Sequence, residues 1–479
     1  MMSSVLRKVP AQMVIGVLLL SACGGASAPS PSPASSPPAA SQPVSAKPSA
    51  VASALGSAAA SKPAAVSAAS AASAVAGGPI KVGVLLPLTG SFSPLGKDNQ
   101  DALNLYLDSI HNTMAGRQIQ VVYADDQGQP DVGLTKAKGL VENDKVKLLM
   151  GITATPVAYA VATYVKDAHV PLMITENGGA QALTTDPKFK SPYLSRYTQS
   201  QTVIMDPPAD WGYKHGWRKG IVMASDYGAG HENIDAFAST FVKAGGSVVQ
   251  EQYPPLGTTD FGPYFAKLSS GADFLAGFFP GVDGLRFIQQ IGNYASRSKL
   301  PILDISGVMT GGSVIAEEKD AAVGVIAGQP WSSATDNPAN AAFMKAWDAK
   351  YPSRYPSADS AMGWASGQIL QAALEKVKGN VEDTDPFLQA LYATNLTIPK
   401  GPIKLDANHD VVENVYMYEI VKQGDRYAQK PLDTYNDVSS AWDRTPREVE
   451  SFPFGKLSGQ WVGMTKEKLQ TVLSAPAKS

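Results

Sequence analysis

Sulfur and imidazole chemistry are almost missing from this chain. Its 479 residues include one cysteine and five histidines. A single thiol excludes an internal disulfide and any thiolate zinc cage. His111, His169, His215, His231 and His409 never fall at a spacing by which two rings reach one metal, and His231-Glu232 has no second histidine four residues on. A Gly-x-Ser-x-Gly nucleophile elbow is absent as well. Gly90 to Lys97 follows a strand pattern as a phosphate loop does, but five residues rather than four separate its glycines, and Asp98 stands where a magnesium-binding hydroxyl belongs. These gaps predict a chain that is not an enzyme and carries no cofactor and no metal. Charge is also sparse, at 17% with a net value of -2 and no basic run, so no nucleic acid partner is expected. After the first 22 residues no apolar stretch reaches the roughly 18 residues that suggest a spanning helix.

The one cysteine is informative through its position. Leu20-Ser21-Ala22-Cys23-Gly24 follows Arg7-Lys8 and the apolar run Val9 to Leu20. This resembles a bacterial lipobox, which implies a signal peptide over 1–22, a lipid on the Cys23 sulfur and an extracytoplasmic chain anchored to the cell membrane. A buried cysteine after an ordinary export signal is the plainer alternative. Residues 24 to 78 are almost wholly Ala, Ser, Pro and Gly, with only Lys47 and Lys62 charged. Side chains so small cannot offset the entropy of ordering, so 23–78 reads as a lipidated, disordered tether with a reach of about 40 Å.

From Pro79 on, short apolar runs alternate with amphipathic stretches. Ile80 to Leu86, Ile119 to Tyr123, Val146 to Met150 and Leu172 to Thr175 read as buried parallel strands, and Ile221 to Met223, Ser247 to Gln252, Phe274 to Phe279 and Pro301 to Ile305 repeat the pattern. The simplest fold class is α/β, with two doubly wound lobes. The expected organisation is lobe 1 over 79–200, lobe 2 over 201–328, a return to lobe 1 over 329–405, a return to lobe 2 over 406–445, and a C-terminal extension over 446–479 on the surface.

In open α/β sheets ligands bind beyond the carboxyl ends of strands, where helix N-termini present free N–H groups. Gly151-Ile152-Thr153-Ala154-Thr155-Pro156 is such a turn; with Thr155 as cap and Pro156 first in the helix, its amides and dipole suit a carboxylate. Simple capping explains the threonines equally well. Asn177-Gly178-Gly179 in the next turn lets backbone approach a ligand closely. Tyr227, Phe278, Phe279 and Asp283 lie at equivalent exits of the second half.

An ordered set of segments carries a family likeness: Lys81-Val82-Gly83-Val84, Leu88-Thr89-Gly90, Ala124-Asp125-Asp126-Gln127-Gly128, Val170 to Thr175, Asp226-Tyr227-Gly228 and Gly257-Thr258-Thr259-Asp260-Phe261. The chain resembles type I periplasmic binding proteins of the leucine/isoleucine/valine-binding group, the substrate-binding subunits of ABC transporters. The resemblance implies two lobes joined by a three-crossover hinge that close on one small ligand and pass it to permease subunits, and a monomer. It places Thr153, Thr155, Asn177, Gly178 and Gly179 at the ligand carboxylate, Phe92 and Leu95 on the first-lobe wall, and Tyr227, Phe279 and Asp283 on the second. Ser306 falls where the amino acid binders hold the ligand ammonium with a glutamate. A serine cannot neutralise a buried ammonium, so the expected ligand is a carboxylate, aromatic or hydrophobic, with a branched-chain amino acid as the alternative if Asp283 or Asp304 reaches the cleft. A lipoprotein that senses the ligand and signals without transport would use the same clamp.

Overall fold

The computed structural model describes residues 77–176, 179–294, 300–312 and 314–474. Cys23, the signal and nearly all of the tether lie outside them, as do Asn177 and Gly178. Among the described residues fifteen strands form two sheets. In the first, β1 (Ile80–Leu86), β2 (Thr113–Met114), β3 (Arg117–Asp125), β4 (Leu148–Gly151), β5 (Leu172–Ile174) and β6 (Leu194–Arg196) run in the order β2-β3-β1-β4-β5-β6. All of its pairings are parallel except that of β2 with β3. The apolar, buried character of β1, β4 and β5 follows from helices covering both faces.

The second sheet contains β7 (Lys219–Ala224), β8 (Ser247–Gln252), β9 (Phe274–Phe278), β10 (Ile302–Asp304), β11 (Ile326–Gln329), β12 (Asn395–Ile398), β13 (Gly401–Leu405), β14 (Val411–Gln423) and β15 (Arg426–Val438). Their order is β12-β13-β14-β11-β10-β9-β7-β8, with β15 on the other edge of β14. Strands β7 to β11 pair in parallel, while β11 to β15 join antiparallel.

Each lobe buries its own core. Helices Pro338–Lys350, Ala358–Lys376 and Thr384–Tyr392 return to the first sheet, where Phe343, Trp347, Trp364, Ile369 and Phe387 join Val82, Val84 and Leu148. The chain therefore crosses between lobes three times: after β6, after β11 and on entering β14. Strands β12 and β13 belong by hydrogen bonding to the second sheet, although Ile398 and Ile403 bury in the first-lobe core. The C-terminal segment is more integrated than a surface wrap. Phe452, Leu457, Trp461, Leu469 and Leu473 are part of the second-lobe core, and the indole N–H of Trp461 donates to Asp235 at 2.6 Å. Among the described residues no helix is long and apolar enough to cross a membrane.

Candidate ligand-binding site

Each sheet has one place where consecutive crossovers diverge to opposite sides, between β1 and β4 in the first and between β7 and β9 in the second. Loops beyond these strand ends leave a crevice, and in this chain the two crevices face one another. The cavity between them measures about 50 Å³. Room on this scale suits a small molecule and not a peptide or oligosaccharide.

On the first-lobe wall, β4 ends in a backbone kink. Gly151 has φ +108° and the fully buried Ile152 has φ +69°, a conformation that costs a β-branched residue about 1–3 kcal/mol and that the surrounding core enforces. The kink brings Thr153 and Thr155 to the cavity. Helix Thr155–Ala168 starts one residue earlier than the sequence suggests: Ala154 is the cap, and it offers no side chain to the helix amides. The hydroxyl of Thr153 is buried without a partner. A methyl built on Gly179 would lie 2.7 Å from Thr155 Oγ1, so only glycine leaves this corner open. Arg196, paired with Asp410 at 2.6 Å, donates to the carbonyls of Gly179 and Ala180 at 2.7 and 2.9 Å and fixes that turn.

Aromatic groups close the opposite side. Phe92 and Leu95 come from the first lobe, and Tyr227 and Phe278 from the second. Phe92 and Tyr227 meet across the cleft with ring centroids 5.9 Å apart, and Tyr227 stacks on Phe278 at 6.4 Å. Further bonds join the lobes: Tyr159 OH donates to Glu232 at 3.0 Å, and Val282 N–H donates to the Ser91 carbonyl at 3.3 Å. Burial pushes the Glu232 carboxyl up to about 7.

Two sequence-based assignments are corrected. Phe279 is fully buried in the second-lobe core, stacked on Phe287 at 4.5 Å. Successive strand residues point to opposite faces, so its neighbour Phe278 faces the cavity instead. Asp283 is fully buried behind the cleft, where it accepts from Gly257 N–H at 2.8 Å and Ser225 Oγ at 3.2 Å. Asp304 likewise faces inward, accepting from Met309 N–H at 2.9 Å and Thr310 N–H at 3.1 Å, and shapes the loop that carries Ser306 and Val308 into the cavity.

The cavity also holds acidic groups that sequence reasoning missed. Glu176 and Asp359 both line it. Glu176 is 4% exposed, accepts from Asn99 Nδ2, and is pushed well above the ordinary carboxyl range by burial and then by Asp359. They are not Asp283 or Asp304, the acidic residues the sequence offered for the cleft. Asn233 and Ser306 complete the second-lobe wall. No group of three or more His, Cys, Asp or Glu arranged to hold a metal occurs among the described residues.

Two α/β lobes with a small, mixed polar and aromatic cavity at their facing switch points define a solute-binding clamp. The chain belongs to the periplasmic binding protein family, whose sequence profile matches residues 79–425. It is similar to Leu/Ile/Val-binding protein homolog 6 of Brucella melitensis, 29% identical over 74% of this chain and 91% of that protein. Among solved structures it is similar to an ABC transporter substrate-binding protein from Sphaerobacter thermophilus, with 33% identity and a TM-score of 0.71 over 75% of this chain and 99% of that one. A solute-binding protein of an R. palustris ABC transporter, solved with benzoate, is 28% identical with a TM-score of 0.70 over 75% and 98%. These relatives are solute-binding proteins, and the chain is a substrate-binding protein of the ABC-transporter type. Membership implies an extracytoplasmic location.

Proposed function

We propose that this chain captures a small aromatic or hydrophobic carboxylate by closing its lobes and delivers it to ABC permease subunits while lipid-anchored through Cys23. The observation that carries the ligand class is the pairing, in one cavity, of an uncapped helix N-terminus beside the unpartnered Thr153 hydroxyl with the apolar faces of Phe92, Tyr227 and Phe278. Free amides and the helix dipole favour an anion, worth about 0.3–1 kcal/mol from the dipole and more where it is partly buried. The rings favour a flat or branched apolar body. In this account Thr153, Thr155 and the turn Asn177-Gly178-Gly179 hold the carboxylate. Phe92, Leu95, Tyr227 and Phe278 hold the rest, and the protein works as a monomer on its tether. The R. palustris relative's benzoate complex supports an aromatic acid.

A thermal-shift screen of the purified protein against benzoates, phenylalkanoates, branched-chain keto acids and amino acids tests it. At least one small carboxylate is expected to raise the melting temperature by several degrees. A flat response to all of them, with a response to sugars or polyamines, would overturn the ligand class.

A further inference from the structure

We propose that the carboxyl groups of Glu176 and Asp359 form a second polar pole of the cavity, which recognises a hydrogen-bond donor carried by the ligand in addition to its carboxylate: a phenolic hydroxyl or an ammonium. The inference rests on the ligand class argued above and sharpens it.

Glu176 and Asp359 come from distant parts of the first lobe, the end of β5 and the start of helix Ala358–Lys376, and meet at the cavity. Among the described residues no lysine, arginine or histidine lines that cavity. Arg354, which pairs with the neighbouring Asp98 at 2.7 Å and with Asp101 at 2.6 Å, is already committed, and Asp98 also accepts from Ser357 Oγ at 2.9 Å. Asn99 supplies a donor to Glu176. Glu176 Oε1 is buried without a partner, so although burial holds both carboxyl groups above their ordinary range, acceptor capacity is left at the cavity.

An independent observation lies on the second-lobe wall. Asn233 is fully buried with neither its amide oxygen nor its amide nitrogen partnered, and the 1%-exposed Ser306 hydroxyl has no partner either. Both line the same cavity. Buried polar groups almost always find a partner, and an acid with a bare hydrocarbon body would leave all of these unmatched. A ligand with a second polar substituent satisfies them. A hydroxyl and an ammonium share the needed chemistry, a donor directed at carboxyl oxygens.

Calorimetry on the purified protein with matched pairs tests this. The hydroxyl arm compares benzoate with 3-hydroxybenzoate and 4-hydroxybenzoate. The ammonium arm compares 3-phenylpropanoate with phenylalanine and 4-methylpentanoate with leucine. In at least one arm the donor-bearing member should bind at least tenfold more tightly, and the responding arm identifies the donor. Glu176→Met and Asp359→Ala, each tested alone, should reduce that advantage below threefold, while the donor-free acid changes by less than threefold and reports that the variant is folded. Donor-free acids binding as tightly as their partners in both arms would overturn the proposal, as would an advantage that survives in both variants. If no compound in either arm binds, the small-carboxylate reading itself falls and the second pole with it.

Discussion

Gly281→Ala should weaken every ligand by the same factor. Gly281 caps helix Val282–Ile291 at φ 61°, ψ -132°, a region open essentially to glycine. It also lies where the lobes touch: an added Cβ would sit inside van der Waals contact of the Ser91 carbonyl oxygen and 3.4 Å from the Phe92 Cα, both on the first lobe. Two costs follow, and they separate experimentally. The backbone strain, about 1–3 kcal/mol, is present whether the lobes are open or closed and lowers the melting temperature alone. The clash and the loss of the Val282 to Ser91 hydrogen bond at 3.3 Å fall only on the closed arrangement. Taking that bond as about 1 kcal/mol and the residual displacement as about the same, closure becomes about 2 kcal/mol dearer, or roughly 30-fold in affinity. Because no ligand atom is involved, two chemically different ligands should lose the same factor in calorimetry. An unchanged affinity alongside a lowered melting temperature would show that the Ser91 contact is not part of the bound state and would refute closure by this route.

Other outcomes follow from single residues. Trp461→Ala removes a fully buried indole and the donor to Asp235 Oδ1, so chemical denaturation should show a loss of about 3–5 kcal/mol. A change under 1 kcal/mol would mean that the C-terminal segment is not part of the core. In the ligand-free protein, burial raises Glu232 to about 7 and Asp235 to about 6. A carboxyl group whose folded pKa is raised stabilises most below its unfolded pKa, and that stability is lost as pH rises through the folded value. Melting temperature at constant ionic strength should therefore fall between pH 5.5 and 8, and a rise over that window would contradict the assignment. Cys23→Ser should release the protein from cell membranes in fractionation without altering its melting temperature, and persistent membrane association would exclude the lipid anchor.

What the sequence reveals about this site, and what it conceals, follows from locality. The corner at Thr153 and Thr155 is readable because one strand, one turn and one helix start lie within a few residues, and each has its own residue preferences. Tyr227 is readable for the same reason. The exchange of Phe278 for Phe279 arises from period two: an aromatic pair at a strand end places one ring in the cleft and the other in the core, and only the register of β9 against β7 and β10 decides which. Asp359 was out of reach because it meets Glu176 only after the chain has left the first lobe and returned. The one local hint is the Ser357–Ser360 capping box, which places residue 359 in the first turn of a helix. The C-terminal segment was undervalued because Phe452, Leu457, Trp461 and Leu469 are spaced by turns rather than by a helical or strand period.

The claim that a small acid is held at the Thr155 corner is tested most directly by titrating benzoate and 4-hydroxybenzoate into the wild-type protein and into Thr155→Val. Micromolar binding to the wild type is expected, weakened in the variant by about 1.5–3 kcal/mol, the scale of a hydrogen bond to a charged group, which is roughly 10- to 150-fold. Undiminished binding to the variant, or no heat from either acid with the wild type, would contradict it.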